Sequence, residues 1–78
     1  MNKSDARKII ENENLKHYNW FGNHEVYPYE VSISKTENSW SVFTADERTC
    51  KISEAIYDNE NDALTEFIKR LRADKKLG

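Results

Sequence analysis

The spacing of apolar residues changes period along this chain, and each change predicts an element. Ala6, Ile9 and Ile10 fall at helical spacing, with Glu13 continuing the stripe, which predicts a helix over about residues 4–15. Ser4 is its expected N-cap, with Asp5 in the first turn, where a carboxylate suits the positive end of the helix dipole. Asn12 and Asn14 are weak helix formers and set its end near Leu15. Residues 16–28 show no period and are predicted as a loop. It holds His17, Tyr18, Trp20, Phe21, His24, Tyr27 and Pro28, so it is either a cover for the core or a contact surface.

From residue 29 the period becomes two. Tyr29, Val31 and Ile33 alternate with Glu30, Ser32 and Ser34, and Trp40, Val42 and Thr44 alternate with Ser41, Phe43 and Ala45. This predicts strands over about 29–35 and 39–45, joined by a turn in a hairpin that pairs Lys35 with Trp40 and Ile33 with Val42. A third run, Cys50, Ile52, Glu54 and Ile56, predicts a strand over about 50–57. Its register is open. A loop of Asp46 to Thr49 turns Ile52 away from Val42, and a five-residue loop that also takes in Ala45 sets Ile52 opposite Val42. The second is preferred because a one-residue slip moves every side chain to the other face. Glu54 then interrupts the buried face, at a bulge or an edge.

After this run Asn59 and Asp62 stand at capping-box spacing, and Leu64, Phe67, Ile68 and Leu71 form an i, i+3, i+4, i+7 stripe joined by Ala63, predicting a helix over about 60–76. Lys69, Arg70, Arg72, Lys75 and Lys76 crowd its C-terminal end, where cations suit the dipole. The reading is an α+β protein: helix, three-stranded antiparallel β-meander, helix (αβββα), with both helices packed on one face of the sheet and residues 1–78 forming one domain. The expected core is Ile9, Ile10, Val31, Ile33, Trp40, Val42, Ile52, Ile56, Leu64, Phe67, Ile68 and Leu71.

Seventy-eight residues leave no room for a second core. Net charge is −2, but its distribution is uneven: residues 1–24 carry +1, residues 25–58 carry −4, and residues 59–78 carry +1. The strand region is the acidic part, so a basic partner is expected there. A single cysteine, Cys50, cannot form an internal bridge, and no apolar run matches a signal peptide or a membrane span, which points to a cytoplasmic protein with no membrane partner.

Enzyme signatures are missing: there is no Gly-rich phosphate loop, no His-Glu-x-x-His and no Cys-x-x-Cys. His17, His24 and Cys50 lack the close pairing of metal ligands, so no metal or cofactor is expected, and Cys50 reads as a small core residue. The order αβββα is shared with the double-stranded-RNA-binding domain. The last helix argues against a nucleic-acid partner, since it opens with Asp58, Glu60 and Asp62 rather than with bases. Nor does the sheet offer a stacking platform, since only Phe43 is placed on its outer face. Candidate contact residues are the acidic turn Asp46, Glu47 and Arg48, with Trp20, Phe21 or Phe43 as apolar anchors. Trp20 and Phe21 are read first as closing the core.

Trp40-x-Val42-Phe43-Thr44-x-Asp46-Glu47-Arg48, Asn61-x-Ala63-Leu64-x-x-Phe67-Ile68-x-x-Leu71-Arg72 and the helix Ala6-x-x-Ile9-Ile10-Glu11 together resemble a family of short bacterial immunity proteins of polymorphic toxin systems, immunity protein family fifty-nine. The resemblance spans nearly the whole chain. It implies a cytoplasmic α+β protein that binds and neutralises a cognate toxin domain, and it carries over no catalytic residue. The alternatives are a small nucleic-acid-binding module or a regulatory scaffold protein with no toxin partner.

Overall fold

The computed structural model describes residues 1–77. In chain order the elements are α1 (Lys3–Glu13), β1 (Tyr18–Trp20), β2 (Val31–Lys35), β3 (Trp40–Ala45), β4 (Lys51–Tyr57) and α2 (Glu60–Leu77); Gly78 lies outside the described residues. The strands form one mixed sheet in the order β1-β2-β3-β4. The expected three-stranded meander is therefore only the antiparallel part of a four-stranded sheet. β1 lies inside the segment read as a loop and runs parallel to β2, with Tyr18 beside Val31 and Trp20 beside Ile33. A strand of three residues is too short to show an alternation.

Helix boundaries follow from capping. Asn2, not Ser4, caps α1. Its side chain accepts from the Asp5 N–H at 2.9 Å, and the Asp5 carboxylate accepts from the Asn2 N–H at 3.2 Å. Ser4 could not have closed such a box, because the residue three further on is Arg7, which has no acceptor to return the bond. Asn14 ends the helix in the left-handed region at φ 53°, and the Leu15 N–H returns to the Ile10 carbonyl at 3.0 Å, a Schellman closure that brings Leu15 into the core. At α2 the forward half of the anticipated box is present, Asn59 Oδ1 accepting from the Asp62 N–H at 2.8 Å, and the return bond runs from the Asn59 side chain, whose Nδ2 donates to the Asp62 carboxylate at 3.0 Å.

The core lies between α2 and one face of the sheet. Ala63, Leu64, Phe67, Ile68 and Leu71 of α2 are buried with Val31, Ile33 and Val42, and Ala6, Ile10 and Leu15 complete the cluster. α2 lies across β2, β3 and β4, and α1 packs against α2. Ile9 and Trp40, expected inside, are only partly buried at the margin of this cluster. Ile52 and Ile56 are not core residues, being 45% and 61% exposed.

Register explains both. Lys35 pairs with Trp40 and Ile33 with Val42, as the alternation predicts. The next connection has five residues but starts one residue later than expected, at Asp46. Ala45 therefore pairs with Lys51, and Thr44, not Val42, with Ile52. A bulge follows between Val42 and Thr44, with Ser53 in the left-handed region at φ 52°, and it absorbs one residue of β4. Beyond it Ala55 pairs with Val42 and Tyr57 with Trp40, so Glu54 and Ile56 turn to the face away from the helices. There Glu54 accepts from the Ser41 hydroxyl at 2.7 Å. Arg70 props the bulge from α2, donating to the Ser53 carbonyl at 2.6 Å while its Nε holds Glu66 at 2.7 Å.

Residues 21–30 cross the outer face of the sheet. His24 and Val26 line a hollow there with Asn19, Ser32 and Phe43. The segment is held by Glu30, which is buried and accepts from His24 Nε2 at 2.8 Å and from the Tyr27 N–H at 2.9 Å. No helix among the described residues is long and apolar enough to cross a membrane.

Candidate partner-binding surface

The turn between β3 and β4 is built on Asp46. Its Oδ1 accepts from the N–H groups of Arg48 at 2.8 Å and Cys50 at 2.9 Å. Its own N–H reaches the Cys50 carbonyl at 3.0 Å, and its carbonyl accepts from Thr49 at 3.0 Å. A short acidic side chain folding back on its own backbone in this way stabilises a turn. Asp46 is thus committed to the loop, and Glu47 and Arg48 are presented to solvent at its tip. Cys50 is the last residue of the connection and is exposed, not the small core residue expected from its place near a strand.

The Tyr29 N–H meets the Asp46 carbonyl at 3.4 Å, which ties the strap over the outer face to the base of the turn. Tyr27 and Tyr29 therefore stand at the same end of the sheet as Glu47 and Arg48, each 60% exposed. Tyr29 lines a hollow with Val31, Thr44 and Arg70 on the helix side, and the Tyr27 ring stacks on His24 with centroids 5.2 Å apart; sequence reasoning missed both as exposed rings at this end. The available signal was a pair of tyrosines flanking Pro28 just before a strand.

The aromatics singled out from the sequence lie elsewhere. Trp20 packs on Phe67, ring centroids 5.9 Å apart, and against Phe21 at 5.0 Å. Arg7 lies 5.5 Å from the Trp20 ring and Lys3 lies 4.3 Å from that of Phe21. Both rings close the core beneath α1, the first reading made of them. β1 and β4 are opposite edges of the sheet, three strand spacings of about 4.8 Å apart. Phe43 does face outward, but it is 5% exposed, covered by the strap and by Lys51, whose ammonium lies 4.9 Å from its ring. Trp20 and Phe21, Phe43, and the turn Asp46–Arg48 occupy three separate places.

Internal contacts also divide the charges. Of the acids in residues 25–58, Glu30 is buried against His24, Asp46 holds the turn, and Glu54 lies 3.6 Å from Lys51. Glu25, Glu37, Glu47 and Asp58 remain exposed. The basic end of α2 is largely occupied. Arg70 holds the bulge, Arg72 grips Glu13 at 2.9 and 2.5 Å, and Lys75 donates to the Glu13 carbonyl. The hydrogen bond and charge of Arg72 lower the Glu13 pKa below its ordinary 4.5, and Glu13 in turn raises that of Arg72. His17 is paired with Asp74 at 2.9 Å, so His17, His24 and Cys50 are dispersed. Among the described residues no three His, Cys, Asp or Glu side chains gather as a metal site requires.

The structure is thus a small α+β frame with one core, with charge and exposed tyrosine at one end of its sheet. The chain belongs to the immunity protein 59 family, whose family model matches residues 2–76. Neither the curated proteins nor the solved structures yield a match.

Proposed function

We propose that this protein binds a cognate toxin domain in the cytoplasm and neutralises it by protein–protein contact, with no chemistry of its own. The observation that carries this reading is the family match, which covers all but the ends of the chain. The proposed contact is the end of the sheet with Glu47 and Arg48 at its tip, where Tyr27 and Tyr29 are also exposed. The −4 balance of residues 25–58 suits a basic toxin domain, because opposite charge speeds encounter while buried aromatic rings slow dissociation. Of the other candidate residues, Asp46 holds this turn from within, while Trp20 and Phe21 lie across the sheet beneath α1 and Phe43 lies under the strap, so none of these three rings is proposed as a contact.

The reading expects a toxin domain to be encoded immediately upstream of this chain's gene, and the test begins there. Co-expression should rescue growth, and the two proteins should co-purify. Glu47→Lys should slow association and flatten its dependence on salt, with an unchanged melting temperature, and Tyr27→Ala should speed dissociation. The absence of a toxin gene there, or of a complex with its product, would sink the immunity reading. A complex indifferent to Glu47→Lys and Tyr27→Ala would move the contact to another face.

A further inference from the structure

We infer that the free edge of β4 is an acceptor for an extended basic segment of a partner, which joins the sheet as a fifth strand. The hydrogen-bonding pattern of the sheet fixes which backbone groups are available. The Ala45 N–H bonds to the Glu30 carbonyl at 2.8 Å, and the Asp46 N–H to the Cys50 carbonyl at 3.0 Å. Main-chain groups alternate in direction along an antiparallel strand. Ala45, Phe43 and Ser41 therefore face β2, while Thr44, Val42 and Trp40 face β4. Ala55 and Tyr57, the partners of Val42 and Trp40, are turned inward, and the N–H and C=O of Ile56 between them point off the sheet. Lys51, the partner of Ala45, is turned outward in the same way. The other edge, β1, has only three residues and offers little to pair with.

The side chains state what the partner must carry. Ile56 is 61% exposed, an apolar residue on the outer face beside Glu54. Asp58 follows just past the strand, and from Asp46 to Glu60 five acids stand against two bases. A strand laid along this edge would set an apolar side chain beside Ile56 and basic ones towards Glu54 and Asp58, the favourable cross-strand pairs. A second copy of this chain fits poorly. Antiparallel pairing about Ile56 would bring Glu54 of each copy against Asp58 of the other. Pairing about Glu54 would set Ile52, on the helix side, opposite Ile56, on the outer side. The bulge and the flanking acids guard the edge against self-association while leaving it open to a strand of opposite charge. That the natural partner is a toxin domain rests on the reading above; the edge itself does not.

The probe is the synthetic peptide Thr-Lys-Thr-Val-Thr-Lys-Thr, with a twin in which Glu replaces Lys, titrated into the whole protein at low salt and followed by amide NMR. The Lys peptide should shift the amide signals of Glu54 to Asp58 and slow exchange of the Ile56 N–H several-fold; the Glu twin should do neither. Ile56→Pro removes both an N–H that the sheet does not use and the exposed apolar side chain, and should abolish the response without loss of fold. Ile56→Thr, which keeps every backbone group, should weaken it several-fold and serves if the proline variant is unstable. No shift, equal shifts with both peptides, or shifts confined to other elements would overturn the proposal. So would capture of the co-encoded toxin domain that survives Ile56→Pro, which would leave the immunity reading standing. A peptide response without toxin capture supports the edge and sinks the toxin reading.

Discussion

Asp46 and Glu47 are neighbouring acids at a turn, alike in charge and one methylene apart in length, and the fold gives them different work. The Asp46 carboxylate takes two backbone N–H groups of its own loop, while Glu47 stands in solvent. Removing a short side chain that caps two backbone N–H groups costs about 0.5–2 kcal/mol, so Asp46→Ala should lower the urea midpoint clearly. Asp46→Asn, which retains the accepting oxygen, should lower it much less. Glu47→Ala, at an exposed site, should stay within about 0.5 kcal/mol of the parent. Equal midpoints for Asp46→Ala and the parent would show that the turn does not depend on this cap. Reversing both acids together would confuse a folding defect with a binding one, so charge at the tip is better probed through Glu47 alone.

At the level of elements, the buried stripe of α2 and the exposed run of β4 make a paired prediction. Phe67→Ala removes a side chain with no exposed surface and should cost about 3–5 kcal/mol. Ile52→Ala and Ile56→Ala should each cost no more than about 1 kcal/mol, since much of each side chain already meets water. Denaturation midpoints check this ordering, and an Ile56→Ala loss as large as that of Phe67→Ala would contradict the register of β4. Both helices were legible because the stripes of Ile9 and Ile10 and of Leu64, Phe67, Ile68 and Leu71 repeat at the helical period. The β2–β3 hairpin was legible because its strands alternate and flank a polar turn. β4 misled because Ile52 and Ile56, four apart, imitate an unbroken alternation, and a bulge at Ser53 inserts a residue without changing composition. β1 was hidden because three residues have no period and their pairing is set by Ile33 and Val31, distant in sequence. The charged tip could be read from the turn itself. Tyr27 and Tyr29 could not be placed at its end of the sheet, because the Tyr29–Asp46 bond joins segments that no local pattern relates.

Across the whole molecule, the two ends of the chain are fastened by Glu13 and Arg72, which join α1 to α2 on the surface. The folded pKa of Glu13 lies below its ordinary 4.5, so the carboxylate contributes stability above that ordinary value and loses it as pH falls through the folded one. Glu13→Gln should therefore be less stable than the parent at neutral pH, with the gap closing below about pH 4.5 and shrinking in high salt. Urea titrations at neutral and acid pH measure it, and a gap independent of pH would refute the pairing. The parallel placement of β1 beside β2 has a consequence in time. β2, β3 and β4 are joined by the short turns at residues 36–39 and 46–50, so they can zip together with little loop entropy to overcome. β1 can pair only after residues 21–30 have swung across the sheet, and α1 arrives with it. Assembly should therefore begin with the hairpins and α2 and finish at the N-terminal end. In stopped-flow experiments Trp20→Ala should hasten unfolding and leave the refolding rate almost unchanged, whereas Val42→Ala should slow refolding. A slowed refolding limb for Trp20→Ala would place β1 in the nucleus instead.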